Sequence, residues 1–99
     1  MGAVTDRFRV TRGNTGVHIP LGNGYKASLQ WGAGTYSENY DKDFEDKDIG
    51  QFGANNIEVA IINPDGKLIE TPLSGGDTVH GYVTPSHVWK ILDWGREQK

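Results

Sequence analysis

Residues 25–40 read YKASLQWGAGTYSENY, and this stretch decides the fold. Tyr25, Ala27, Leu29 and Trp31 fall on one side of an extended chain, and Lys26, Ser28 and Gln30 on the other. A two-residue period of this kind marks a strand with one buried face and one wet face. The pattern stops at Gly32-Ala33-Gly34, where the chain turns polar and then acidic. A long loop is therefore predicted over residues 32–54, with Phe44 and Phe52 as its anchors to the body. Loops longer than about 12–15 residues are uncommon in compact domains and are usually functional or mobile.

Working outward, NIEVAII (56–62) is the most hydrophobic run, with Ile57, Val59 and Ile61 on one face, and it reads as a central strand. Asn63-Pro64-Asp65-Gly66 follows: proline presets the first corner of a turn and glycine takes the left-handed position that closes a bulged hairpin. KLIETPL (67–73) is the predicted return strand, and TVHGYV (78–83) a short last one. Toward the N-terminus, DRFRVTR (6–12) sets Phe8 and Val10 against an outer face of Arg7, Arg9 and Thr11. VHIPL (17–21) contains Pro20, which cannot donate to a ladder, so it is predicted to be an edge strand or to pair on one side only.

Thr84-Pro85 is a helix start, with threonine as N-cap and proline at the first helical position. Val88, Ile91 and Leu92 then recur at helical spacing, flanked by Trp89 and Trp94, and Gly95 is the predicted stop. These signals together predict an α+β fold in one domain: an antiparallel meander of five to six strands with one C-terminal α-helix packed on one face.

Bulk properties agree. The 99 residues, 35% apolar and 23% charged, suit a single globular core, and fourteen glycines favour a body of strands and turns. A core this small leaves a stability of about 5–10 kcal/mol. There is no cysteine, no apolar run long enough for a membrane span and no pattern of a signal peptide, so a soluble protein of the cytoplasm is expected.

The net charge of −3 is uneven. Glu38, Asp41, Asp43, Glu45, Asp46 and Asp48 are opposed within 38–48 only by Lys42 and Lys47, leaving −4 there and +1 elsewhere. Direct nucleic-acid binding is disfavoured, because phosphate affinity needs concentrated positive charge.

Motifs for chemistry are scarce. The acidic run invites calcium, but its spacing is not that of an EF-hand loop. His18, His80 and His87 match no zinc pattern, and surface or capping roles suit them better. Gly32-x-Gly34 lacks the following helix of a dinucleotide site, and no serine lies in a nucleophile elbow. An enzyme is not expected, and no cofactor or metal is assigned. Trp31, Tyr36 and Tyr40 stand where strand meets loop; tryptophan and tyrosine are frequent interface anchors, although Trp31 also suits a core position.

KASLQWGAGTYSENY, NIEVAIINPDGKLI and GYVTPSHVWKIL together resemble small bacteriophage-encoded accessory proteins, over residues from about Lys26 to Leu92. The shared motifs are a strand end and a helix cap, so no catalytic residue carries across. The resemblance implies a protein of the host cytoplasm that binds and blocks a host machine, defence nucleases included. The expected contact residues are Tyr36, Glu38, Tyr40, Asp41, Asp43, Glu45, Asp46 and Asp48, facing a host protein with a basic surface. The alternatives are a homo-oligomeric or virion-associated module using the edge strand 17–21, and a calcium or small-ligand domain.

Overall fold

The computed structural model describes residues 7–10, 16–32, 34–39 and 53–99. Six strands and one helix follow in the order β1 (Arg9–Val10), β2 (Gly16–Pro20), β3 (Lys26–Gln30), β4 (Ile57–Ile62), β5 (Leu68–Ile69), β6 (Val79–Val83) and α1 (Pro85–Arg96). All pairings are antiparallel, in the order β1-β2-β3-β4-β5, with β6 also on β4.

The alternation at residues 25–31 has its predicted consequence. Ile19, Ala27, Ile61 and Ile69 form one cross-strand row, and Val17, Leu29 and Val59 the next, all on the face toward the helix. Val88, Ile91 and Leu92 of α1 pack on Ala27, Val59, Ile61 and Val83 to make the core. Burying a side chain such as Ile91 stabilises by about 1.5–3 kcal/mol, enough for a short helix to form only when docked. Val59, Ala60, Ile61 and Ile62 are all buried, as befits the strand with three partners.

Several details depart from expectation. The return strand is two residues long instead of running over 67–73. After Ile69 the chain turns inward at buried Thr71, Pro72 withholds a donor, and Ser74 N–H closes a turn on the Thr71 carbonyl at 3.2 Å. β6 then returns to β4 on the edge that β5 has vacated. At the other end of the sheet, Phe8 and Val10 do not face a core; they are 74% and 68% exposed. Val10 belongs to the outermost strand and Phe8 directly precedes it, and α1 lies over β3 and β4 instead. β2 is therefore not the edge: β1 covers it at Val17 and His18, and at Ile19 and Pro20 it pairs with β3 alone.

Gly95 does not stop the helix. It lies within α1, buried, and a Cβ there would stand 2.7 Å from Leu21 Cδ1 and 3.0 Å from Ile61 Cδ1. The missing side chain lets the last turn approach the sheet. Termination comes instead from Asn23 in the β2–β3 turn, whose Nδ2 lies 2.8, 3.1 and 2.9 Å from the carbonyls of Gly95, Arg96 and Gln98. The Gly95 carbonyl also accepts the Gln98 N–H at 3.3 Å, and Asn23 adds a side-chain donor to the acceptors left over at the helix end. At the helix start Thr84 has extended backbone (φ −79°, ψ 160°) and offers its carbonyl to His87 and Val88, but its hydroxyl makes no cap bond.

Candidate interaction surface

The pairings Val59 with His80 and Ile57 with Val83 leave Gly81 and Tyr82 opposite Glu58 alone. The extra residue is a β-bulge, which re-aims side chains and interrupts the ladder. Tyr82 absorbs it with φ 53°, the one non-glycine positive φ among the described residues. Its N–H leaves β4 and donates to the Tyr36 carbonyl at 2.7 Å. Gly81 makes room for this: a Cβ there would stand 3.0 Å from Tyr36 Cβ. Tyr36 and Tyr82 end up joined through the backbone yet 59% and 55% exposed.

Tyr36 is held from beneath by a polar plug that sequence reading missed. Thr35, Ser37 and Asn39 are buried, alternating with exposed Tyr36 and half-buried Glu38. Thr35 Oγ1 donates to the Gly32 carbonyl at 2.6 Å and lies 2.8 Å from Ser37 Oγ. Asn39 Nδ2 reaches the carbonyls of Trp31 and Gly53 at 3.0 and 3.3 Å, tying the two stems of the acidic segment together. The period-two pattern of T-Y-S-E-N was the available signal, hidden because small polar side chains resemble loop sequence.

Of the residues expected to meet a partner, Tyr36 is presented to solvent and Glu38 is engaged within the fold. The Glu38 carboxylate accepts the Asn55 backbone N–H and, at 3.4 Å, its side-chain amide, while Glu38 N–H donates to Asn56 Oδ1 at 2.7 Å. Glu58 accepts the Tyr36 N–H at 3.1 Å. Tyr40, Asp41, Asp43, Glu45, Asp46 and Asp48, and with them the calcium expectation, lie outside the described residues. Trp31 is half-buried.

Two hollows flank Val83. One, of about 220 Å3, is apolar and lined by Ile57, Val83, Pro85, Val88 and Trp89 beside Asn55 and Asn56; Trp89 is 65% exposed. The other, of about 410 Å3, is polar, with Ser74, Asp77, His80, Tyr82, Thr84 and His87 in its wall.

His80 is buried, contrary to the expected surface or capping role. Its Nδ1 lies 3.1 Å from the Val59 carbonyl and its Nε2 2.7 Å from Thr71 Oγ1. Burial holds its pKa below the ordinary imidazole value, reinforced by His87 and opposed by the Val59 carbonyl and Asp77. His18, half-buried on the helix-free face, is lowered too, by burial and then by Lys26 and Arg9.

Thr71, His80 and a carbonyl repeat the order nucleophile, base and orienter. Here, however, the Thr71 hydroxyl is buried, accepts the Leu73 N–H at 3.1 Å and is absent from the cavity wall. The pair ties the β5–β6 connection to β4. Among the described residues no three His, Asp or Glu side chains are grouped to hold a metal.

No family model, curated protein or solved structure matches the chain. Its functional reading rests on its own geometry.

Proposed function

We propose that this is a non-enzymatic binding protein that seats Tyr36, Tyr82 and Trp89, together with the acidic segment 41–48, on a basic surface of a partner protein, a host protein in the phage-accessory reading, and thereby inhibits or redirects that partner. One observation carries the reading: an exposed tyrosine occupies a left-handed backbone position. Glycine would take φ 53° freely, whereas an L-residue costs about 1–2 kcal/mol there. Tyr82 regains little of that cost by packing, since it is more than half exposed, and strained residues of this kind concentrate at functional sites. Exposed aromatics beside hollows are the usual anchors of a protein interface. The carboxylates of the acidic segment would add encounter rate and salt sensitivity to those anchors.

Affinity capture from host lysate tests this with three proteins: the unchanged chain, Tyr82→Gly, and a chain with Asp41, Asp43, Glu45, Asp46 and Asp48 converted to Asn and Gln. A stoichiometric partner held by the first and lost from both variants supports the reading. A partner retained undiminished by either variant refutes it.

Exposed Val10 on the two-residue outer strand, with exposed Phe8 just before it, favours a second reading, self-association along the β1 edge. Light scattering decides it, since a strict monomer removes the dimer.

A further inference from the structure

His80 has one protonation state in which all of its hydrogen bonds are made. The Val59 carbonyl can only accept, so Nδ1 carries the proton and Nε2 offers a lone pair to the Thr71 hydroxyl at 2.7 Å. That hydroxyl in turn accepts the Leu73 N–H at 3.1 Å. A proton added at Nε2 makes both groups of the Thr71–His80 contact donors. The hydroxyl must then rotate, and it has no further hydrogen-bond partner among the described residues. The new charge also lies in a buried residue, where an unmatched donor or charge is costly. Two titratable groups act on the ring: Asp77, from the β5–β6 connection, favours the charge, and His87, from the first turn of α1, opposes it.

His80 stands two residues before Tyr82 on β6, at the last regular pairing before the bulge. A charged ring keeps its Nδ1–H bond to the Val59 carbonyl and disturbs only the Thr71 contact, and a ring shift that relieves this contact moves the β6 backbone that aims the Tyr82 N–H at Tyr36. We infer that His80 is a proton-operated latch on the Tyr36–Tyr82 surface: protonation at Nε2 turns the Thr71 O–H away from the ring, leaves that hydrogen without an acceptor and slackens the bulge, so the surface is assembled at neutral pH and comes apart in mild acid. The latch takes its regulatory role from the binding reading above, but its operation needs no partner and is tested without one.

The test is an NMR titration of the unmodified protein from about pH 7.5 to 5, the range in which imidazoles change charge. The neutral ring should show the Nδ1–H tautomer. Protection of the Tyr82 amide from exchange, corrected for intrinsic rates, should fall about tenfold for each pKa unit separating His80 from its value with the bulge open. The fall should begin near pH 6.5, about the value of an imidazole released from the closed bulge, and level off below the midpoint of His80 in the assembled protein, while the amides of Ile91 and Leu92 stay protected. His80→Gln, which cannot charge, should make Tyr82 protection independent of pH, and His18→Gln should leave the wild-type profile unchanged. Thr71→Val should raise the His80 midpoint and Thr71→Ser restore it, which keeps the test sound if His80→Gln fails to fold. The latch is overturned if Tyr82 protection is constant through the His80 titration, or if it is lost together with that of Ile91 and Leu92. Either result leaves the capture experiment standing on its own.

Discussion

The backbone N–H of Tyr82 donates to the carbonyl of Tyr36 at 2.7 Å, so the bulge of β6 and the polar plug before the acidic segment form one unit. Gly81 sits under that bond, with room for a hydrogen and little more. Gly81→Ala should push Tyr36 away and cost about 1–2 kcal/mol, the usual price of modest overpacking. Urea unfolding measures the loss, and the Tyr36 and Tyr82 amide resonances should move more than those of α1.

Thr71→Val keeps shape and removes the hydroxyl. Both His80 Nε2 and the Leu73 N–H then lose their partner, one in a buried and one in a partly buried setting. The expected loss is about 2–3 kcal/mol in urea or guanidinium unfolding, larger than for removal of an exposed hydrogen bond. Thr71→Ser, which retains the hydroxyl, should recover most of it.

The pH dependence follows from two depressed histidines. His80 and His18 both bind protons less readily folded than unfolded, so on acidification the unfolded chain is protonated first. Their stabilisation is complete above about pH 6.5, the unfolded value, and is lost as pH falls through the folded values. The urea midpoint should be level from about pH 8 to 7 and then decline toward pH 5. His80→Gln should flatten part of that decline, leaving the share of His18.

Gly95→Ala pits helix propensity against packing. Alanine gains about 1 kcal/mol over glycine in a helix interior. Against that, its Cβ would lie 3.0 Å from Ile61 Cδ1, which is fully buried in the core, and 2.7 Å from Leu21 Cδ1, which can swing aside. Because Ile61 cannot yield, the variant should be less stable by about 1–2 kcal/mol overall. A partner substitution, Asn23→Ala, strips the cap from the carbonyls of Gly95, Arg96 and Gln98 and should cost about 1–2 kcal/mol. Both are read by thermal or chemical denaturation.

The sheet, the Asn63–Gly66 hairpin and the helix start were legible because each has a local cause: a two-residue period, a proline and glycine at set corners, a proline at the first helical position. Features fixed by distant contacts were not. Asn23 looks like an ordinary turn residue, and only the folded chain brings it to the end of α1. Gly95 carries a stop signal locally, yet its neighbours Leu21 and Ile61 come from other elements. The buried Thr35, Ser37 and Asn39 were masked by their polarity, which a loop would share. Of the candidate site, Tyr36 was visible at the end of the strand pattern. Tyr82 was not, because a left-handed tyrosine leaves no mark in sequence.

Tyr82→Gly tests the central claim most directly, with thermal stability and partner capture measured on the same preparation. The strain at Tyr82 is proposed to serve binding, so the glycine protein should be as stable as the unchanged one or up to about 1 kcal/mol more so, and should no longer retain the partner. A glycine protein that unfolds several degrees earlier, or that captures the partner undiminished, would contradict the account.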